Sequence, residues 1–376
     1  MGSDNSKRSG LGLTRRHFTQ ALAATAAAGA IGLPAATRAR AATSVNFVGW
    51  QGYDDPVAFD DFLKSKDITL NTTYIGNNDE IVAKLRGGGI GSIDIVTPYM
   101  GYIPLLVKLD LIQPIDVSRV PNLEKVMPIF RNDPNINVDG KLYGVPFTWG
   151  GGPMVYDPAV IPTPPTSWKD LLKPEFTGKV GMMDDPLGNM MIGALVATGT
   201  QTPTKINAAQ LEQTIDFLIE LKKQSRVVAA SWGDLSDAIA RGDVAITFNG
   251  WETMVKFCAD KGKVVKYTYP VERTHAWLDN YCIAKDAPNL DAAYELCNRV
   301  ISVEGQKRLA EVAIQAIVNS DAVAALPADI RALYPYDDIA DYGKKASFFG
   351  FPPVEPEGDL TTFSDWLKAY ERFKTA

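Results

Sequence analysis

Apolar and polar residues alternate along this chain in a way that predicts short strands separated by helices. Residues 44–50 and 68–74 have the pattern of strands, and residues 93–97 form a third short apolar run. The first intervening helix opens at Asp54, with Pro56 close behind it in the first turn. This alternation predicts a parallel sheet with crossover helices, in which ligands gather outside the carboxyl ends of the strands.

The same alternation continues in the second half of the chain. Residues 208–223 predict an amphipathic helix, because Leu211, Ile215 and Leu218 fall on one face. Residues 236–241 predict a second helix, which a glycine ends before an apolar strand at residues 242–248. By length, the roughly 335 residues after the first 41 suggest two domains.

The extended segment at residues 274–284 contains the most informative pair of side chains. Trp277 and Asp279 are two residues apart, so on a strand they project to the same side. An indole face attracts positive charge, and a carboxylate accepts a charge-assisted hydrogen bond from an ammonium group. The pair therefore predicts half of a cation site, although a core tryptophan beside a surface aspartate has the same spacing.

Aromatic residues also follow two of the predicted strands in the first half of the chain. Trp50 and Tyr53 come after the first strand, and Tyr99 and Tyr102 come after the third. Large rings in such loops suit the wall of a cleft, and ordinary packing at the rim of a domain is the alternative. Trp251 and its neighbour Glu252 are weaker candidates of the same kind.

Residues 1–41 have the features of an export signal. They combine a basic start, an Ala-rich apolar run and an A-x-A cleavage pattern at residues 39–41. The paired Arg15 and Arg16 are typical of a twin-arginine signal, and a general secretory signal that happens to contain two arginines is the alternative. The sequence therefore predicts a mature periplasmic protein.

Charge and residue counts exclude several classes of function. Removing the leader, whose net charge is +5, changes the net charge from −6 to −11, the opposite of what a nucleic-acid binder needs. After the leader only one histidine remains, His275, which argues against a histidine-based metal site or a Ser-His-Asp triad. The three cysteines, Cys258, Cys282 and Cys297, permit at most one disulfide.

Four stretches of the chain, taken in order, resemble the solute-binding proteins of ABC importers, in the branch that includes the spermidine/putrescine-binding proteins. The first is T-S-W-K-D-L-L-K-P-E-F-T-G-K-V-G-M at residues 166–182, followed by an acidic strand end. The others are T-F-N-G at residues 247–250, W-L-D at 277–279 and S-V-E-G-Q-K-R-L-A at 302–310. The resemblance covers nearly all of the mature chain.

The resemblance implies an α/β fold of the periplasmic binding protein type II kind, with two α/β lobes joined by a hinge and a ligand cleft between them. Lobe one is expected at residues 42–149 and 279–323, and lobe two at residues 150–278 and 324–376. The segment around Trp277 and Asp279 would then be a crossing between the lobes.

The resemblance also implies a non-enzymatic function, a ligand and its contacts. It implies that the chain binds a small organic cation, such as putrescine, spermidine or a related amine, and delivers it to a membrane ABC permease. No cofactor, metal or nucleic acid is expected, and the protein is expected to be a monomer. Transferred position by position, the ligand-binding residues are Trp50, Tyr53, Tyr99, Asp185, Phe248, Trp277 and Asp279.

One departure from the family leaves the ligand open. Gly188 stands where polyamine binders place a second carboxylate, which suggests a shorter or singly charged amine, or a zwitterion. Two other functions stay possible on the sequence alone. One is a periplasmic enzyme exported in the folded state, and the other is a binder of an anion or of iron, with Tyr99 and Tyr102 as ligands.

Overall fold

The computed structural model describes residues 42–376. The predicted export signal at residues 1–41, with its paired Arg15 and Arg16, lies outside the described residues and stays a prediction. The strands are β1 Thr43–Gly49, β2 Ile68–Tyr74, β3 Ile95–Val96, β4 Asn137–Val138, β5 Lys141–Leu142, β6 Val145–Gly151, β7 Met154–Tyr156, β8 Val180–Met183, β9 Ser225–Ala229, β10 Ile246–Phe248, β11 Lys266–Thr268, β12 Thr274–Ile283, β13 Ala316–Ile317 and β14 Ala346–Phe348. The α-helices are α1 Asp55–Ala58, α2 Phe62–Ser65, α3 Asp79–Lys84, α4 Ile103–Lys108, α5 Pro128–Arg131, α6 Pro186–Thr198, α7 Ala208–Gln224, α8 Trp232–Arg241, α9 Met254–Ala259, α10 Leu290–Val300, α11 Val303–Val312, α12 Ser320–Ala324, α13 Ala328–Arg331, α14 Ile339–Lys345 and α15 Phe363–Thr375.

Seven strands form the first sheet, in the order β13-β6-β12-β3-β1-β2, with β14 pairing on β12. Strand β1 is parallel to both β2 and β3, as the alternation of strands and helices predicts. Strand β12 is antiparallel to β3 and to β6. In β1 the alternating apolar residues Val45 and Phe47 are fully buried, which explains the period-two pattern in its sequence.

The second sheet has five strands in the order β11-β7-β10-β8-β9. Strand β8 is parallel to β9 and β10, and β7 is antiparallel to β10 and β11. Helix α6 follows β8 directly and is capped by Asp185, whose side chain accepts a hydrogen bond from the backbone N–H of Leu187. The helix ends at Gly199 in a left-handed conformation.

Helix α7 covers the second sheet and confirms the predicted amphipathic helix at 208–223. Asn207 and Gln210 cap its start reciprocally, and Leu211, Ile215 and Leu218 are buried. The C-terminal helix α15 packs against α7 and α6. The end of the chain therefore forms part of the second core.

The chain crosses between the two sheets at two places, after β6 and after β11. Strand β6 ends in the first sheet at Gly151, and β7 begins in the second sheet at Met154. The chain returns between β11 and β12, so Trp277 and Asp279 lie on a continuous strand of the first sheet, just after the crossing. The sequence predicted that these two residues lie in the crossing itself, and the structure differs on this point.

The end of the chain is divided between the two sheets. Strand β14 pairs with β12, and Tyr342 and Ala346 belong to the first hydrophobic core, whereas α15 packs in the second. This pairing favours assigning residues up to Phe348 to the first lobe, although the expected lobe two began at residue 324. The exact lobe boundaries stay a prediction.

Three further features of residues 42–376 bear on function. Cys258, Cys282 and Cys297 are buried free thiols. None of the described helices combines the length and the apolar character that crossing a membrane requires. No group of three or more His, Cys, Asp or Glu side chains in this part of the chain is arranged to hold a metal ion.

Candidate functional site

A cavity of about 470 Å³ lies where strand ends from both sheets meet. Trp50 follows β1 of the first sheet, whereas Asp185 follows β8 and Asn249 follows β10 of the second. All three line the cavity. Its position at the carboxyl ends of strands is the one that the predicted parallel topology favours for a ligand.

Six of the seven residues predicted from the resemblance line this cavity. Strand β12 contributes two of them from one face, as their spacing predicted. The six are Trp50, Tyr53, Tyr99, Asp185, Trp277 and Asp279.

Phe248 is the exception. Its side chain is fully buried and packs edge-on against Trp168, with the ring centroids 4.9 Å apart, inside the core of the second sheet. The residue that reaches the cavity from the end of β10 is its neighbour Asn249, which has a positive φ of 56°. The structure therefore places Phe248 in the core and not in the cavity.

Asp279 is a buried carboxylate held by a single phenol. The hydroxyl of Tyr53 donates a hydrogen bond to Oδ2 of Asp279. Tyr53 is itself fixed by edge-on packing against Phe147, at a centroid distance of 4.8 Å. The backbone of Tyr99 also forms a bridge with that of Asp279, which brings a third predicted residue to the same place.

The charge of Asp279 is not compensated by the protein. None of the ion pairs of residues 42–376 involves Asp279 or Asp185. Burial raises the pKa of Asp279 to about 7, and the hydrogen bond from Tyr53 opposes that rise. A buried carboxylate with no cationic partner is costly to the fold, so this position suits a positively charged ligand.

Asp185 is held differently, by a network of hydrogen bonds at the other side of the cavity. Its Oδ1 accepts from the backbone N–H of Leu187 at 3.1 Å, and its Oδ2 accepts from Nδ2 of Asn249 at 3.0 Å. Nδ2 of Asn249 also donates to Oδ1 of Asn189, whose own amide donates to the carbonyl of Met183. The orientation of the Asn249 amide is therefore fixed from two sides.

This network also determines the state of His275. Because Oδ1 of Asn249 is an acceptor, the contact of 2.8 Å with Nε2 of His275 requires a proton on that nitrogen. Burial lowers the pKa of His275, against the opposing charge of Asp185, so the ring is neutral at neutral pH with Nδ1 as an acceptor.

Tryptophans form one wall of the cavity. Trp277 packs edge-on against Trp251 at a centroid distance of 6.2 Å, and Trp251 packs in the same way against Trp232 at 5.6 Å. All three line the cavity. Gly150 lets Trp277 lie close to the backbone of β6, because a Cβ at that position would come within 2.4 Å of the indole.

Sequence reasoning missed several residues of this cavity. His275 had a usable signal, because it precedes Trp277 by two residues and Asp279 by four and so shares their face of β12. Asn249 also had a signal, because it lies in the T-F-N-G stretch at the end of β10, whereas the remaining residues reach the cavity from distant segments without a local pattern. The missed residues include Met191, Trp232, Asn249, His275 and Gln315, and Trp251 had been only a weak candidate.

The two tyrosines predicted as ligands of an alternative iron site, Tyr99 and Tyr102, do not meet in this cavity. The hydroxyl of Tyr102 donates to Oδ1 of Asp79 at 3.1 Å, and its ring packs against Phe351 at 4.3 Å. Tyr99 lines the cavity, but its hydroxyl donates to the carbonyl of Phe349 at 2.8 Å. The two phenols are thus engaged in separate places.

Comparisons with known proteins agree with this architecture. Residues 58–347 match the family model described as bacterial extracellular solute-binding protein. The spermidine/putrescine-binding periplasmic protein of Escherichia coli K12 is 29% identical over 319 residues, covering 82% of this chain and 88% of the relative. The putrescine-binding periplasmic protein PotF of the same organism is 22% identical over 351 residues, covering 86% and 90%.

A solved structure shows the same fold. The spermidine/putrescine ABC transporter substrate-binding protein PotD of Streptococcus pneumoniae superposes with a TM-score of 0.72 at 22% identity, covering 89% of this chain and 99% of that one. The type II periplasmic binding fold expected from the sequence is therefore confirmed. With the family match spanning most of the chain, we conclude that this protein belongs to the bacterial extracellular solute-binding proteins, which are periplasmic binding components of ABC importers and not enzymes.

Proposed function

We propose that the cavity captures a small organic cation, a polyamine such as putrescine or spermidine or a related amine, and that the protein delivers it to a membrane ABC permease. The observation that carries the proposal is the buried, unpaired carboxylate of Asp279 beside the indole of Trp277. The sequence relatives named for putrescine and spermidine support the same class of ligand.

The chemistry of the cavity suits such a ligand. The methylene groups of an alkyl amine can lie against Trp277 and its aromatic neighbours, where apolar contact replaces water. The ammonium group can donate a charge-assisted hydrogen bond to Asp279 and is attracted to the face of an indole. A cation would also supply the charge that Asp279 lacks, so binding would relieve the cost of burying it.

The walls of the cavity come from two different sheets. Trp277 and Asp279 belong to the first sheet, whereas Asp185 and Asn249 follow strands of the second. A ligand that touches both walls would stabilise a closed arrangement, because it would bind the closed state more tightly than the open one. We propose that a permease distinguishes the closed, loaded form from the open one.

Calorimetric titration of the mature protein, residues 42–376, tests the proposal. Putrescine, spermidine and smaller primary amines should bind at one site per chain and give saturable heats. The variant Asp359→Asn, which changes an exposed carboxylate away from the cavity, should bind as the wild type does. If none of these amines binds while an anionic solute does, the proposal is wrong in its ligand.

A further inference from the structure

The two polar ends of the cavity differ in the charge that they offer. Strand β12 places His275, Trp277 and Asp279 on one face, and four residues of extended chain separate the outer two by about 13 Å. Asp279 marks one end, and the cluster of Asp185, Asn249 and His275 marks the other.

The Asp279 end has a carboxylate available to a ligand. Within residues 42–376 its only side-chain donor is the hydroxyl of Tyr53, which engages Oδ2. Oδ1 accepts no hydrogen bond from another described residue and is not sealed away as a buried unpaired atom. This end can therefore accept a hydrogen bond from a full positive charge.

At the opposite end the carboxylate is already occupied by the protein. Both oxygens of Asp185 accept hydrogen bonds, from the backbone of Leu187 and from the amide of Asn249. Asp185 also caps α6, a helix of 13 residues, whose N-terminal end favours a negative charge without any ligand. Each oxygen of Asp185 therefore already has one hydrogen-bond donor from the protein.

The remaining groups at that end are neutral and closely packed. His275 donates through Nε2 to Asn249, which leaves Nδ1 as an acceptor on an uncharged ring. Gly188 adds no side chain, and a Cβ there would lie 2.2 Å from Oδ2 of Asp185 and 2.7 Å from Nε2 of His275. The cluster therefore depends on a glycine at 188 and has no space for a side chain at that position.

From this asymmetry we infer that the preferred ligand carries one positive charge, bound at Asp279, and a neutral hydrogen-bonding group that reaches the cluster of Asn249 and His275. The inference rests on the proposed amine-binding function and narrows it. A second ammonium group would lose water at the far end and would have to compete with Leu187 and Asn249 for the oxygens of Asp185. A carboxylate tail would meet the charge of Asp185.

A panel of ligands with the same four-carbon chain tests this inference by calorimetry on the mature protein. 4-Aminobutanol, putrescine and 4-aminobutyrate differ only in a tail that is neutral, positive or negative. We expect 4-aminobutanol to bind most tightly. Tighter binding of putrescine or of 4-aminobutyrate would overturn the inference, although tighter putrescine would leave the proposed amine binding intact. Failure of all the amines would instead contradict the proposed function, and this inference with it.

Two variants of His275 provide an independent test. His275→Glu introduces a free carboxylate on the same face of β12, and we expect it to raise the affinity for putrescine relative to 4-aminobutanol by about tenfold. His275→Gln removes the imidazole without adding a charge, so the relative affinity for putrescine should be clearly higher in the Glu variant than in this matched neutral variant. Equal ratios in both variants, with the thermal midpoints of both proteins near that of the wild type, would count against the inference.

Discussion

Among single residues, Asp279 is the one on which amine binding is expected to depend most. Asp279→Asn keeps the shape of the side chain and removes its charge. We expect this change to weaken amine binding by about 2–3 kcal/mol, or about 30- to 150-fold in Kd, because a buried charge-assisted contact is lost. Calorimetry measures the change, and the exposed carboxylate variant Asp359→Asn is the control. A loss of less than threefold would mean that Asp279 does not hold the cation.

The same carboxylate predicts how binding depends on pH. Because burial raises the pKa of Asp279 to about 7, the free protein takes up a proton there as pH falls below 7. A neutral carboxyl group attracts a cation poorly, so amine affinity should fall by up to about tenfold per pH unit below 7. Calorimetry at several values between pH 5 and pH 8 measures this dependence.

Tyr53→Phe supplies the matching test. The hydroxyl of Tyr53 lowers the pKa of Asp279, so its removal should move the midpoint of the pH dependence upward. A midpoint that stays in place or moves downward would show that another group controls the titration.

At the scale of secondary-structure elements, the close contact between β6 and β12 positions the cavity wall. Gly150→Ala would place a methyl group 2.4 Å from the indole of Trp277, so the ring must move or the strands must separate. We expect a loss of stability of about 1–3 kcal/mol together with weaker amine binding. Chemical denaturation and calorimetry measure the two effects.

Gly87→Ala is the control for that change. Gly87 has φ near −78°, and a Cβ there would meet nothing within 4 Å. Its effect on stability should stay within about 0.5 kcal/mol. If both alanine variants behaved alike, the contact between Gly150 and Trp277 would not be what positions the wall.

The elements themselves were largely predictable from local patterns, and their packing was not. Strand β2 and helix α7 match the expected segments within a residue, because period-two alternation and an apolar helical stripe are local signals. Phe248 was misplaced because a strand end shows which residues are near a cleft, but not which face each side chain takes. Trp232 and Gln315 join the cavity only through tertiary packing, which leaves no local pattern to detect.

At the scale of the whole molecule, a buried glutamate connects the two sheets near their crossing. Glu252 is fully buried and accepts hydrogen bonds from the backbone of Gly151, which ends β6, and from the hydroxyl of Tyr269, which follows β11. Burial raises the pKa of Glu252 to about 7, although both hydrogen bonds oppose the rise. Glu252 therefore ionises near neutral pH, at the place where the chain crosses between the two sheets.

This raised pKa has a definite effect on stability. A carboxyl group whose pKa is higher in the folded state stabilises the protein below its unfolded pKa, and that contribution is lost as pH rises through about 7. We therefore expect the unfolding free energy of wild type relative to Glu252→Gln to fall by up to about 3 kcal/mol between pH 4.5 and pH 8. Denaturant titrations at each pH measure this difference, with the exposed Glu357→Gln as control. A flat difference would show that Glu252 does not titrate in this range.

A crystal structure of residues 42–376, grown with the amine that binds most tightly in calorimetry, would test amine binding at Asp279 directly. We predict electron density for one ligand in the cavity, with its ammonium nitrogen within hydrogen-bonding distance of the Asp279 carboxylate and its carbon chain against the indole of Trp277. A ligand bound outside this cavity, or an anion in place of the amine beside Asp279, would contradict the proposal that Asp279 binds an amine.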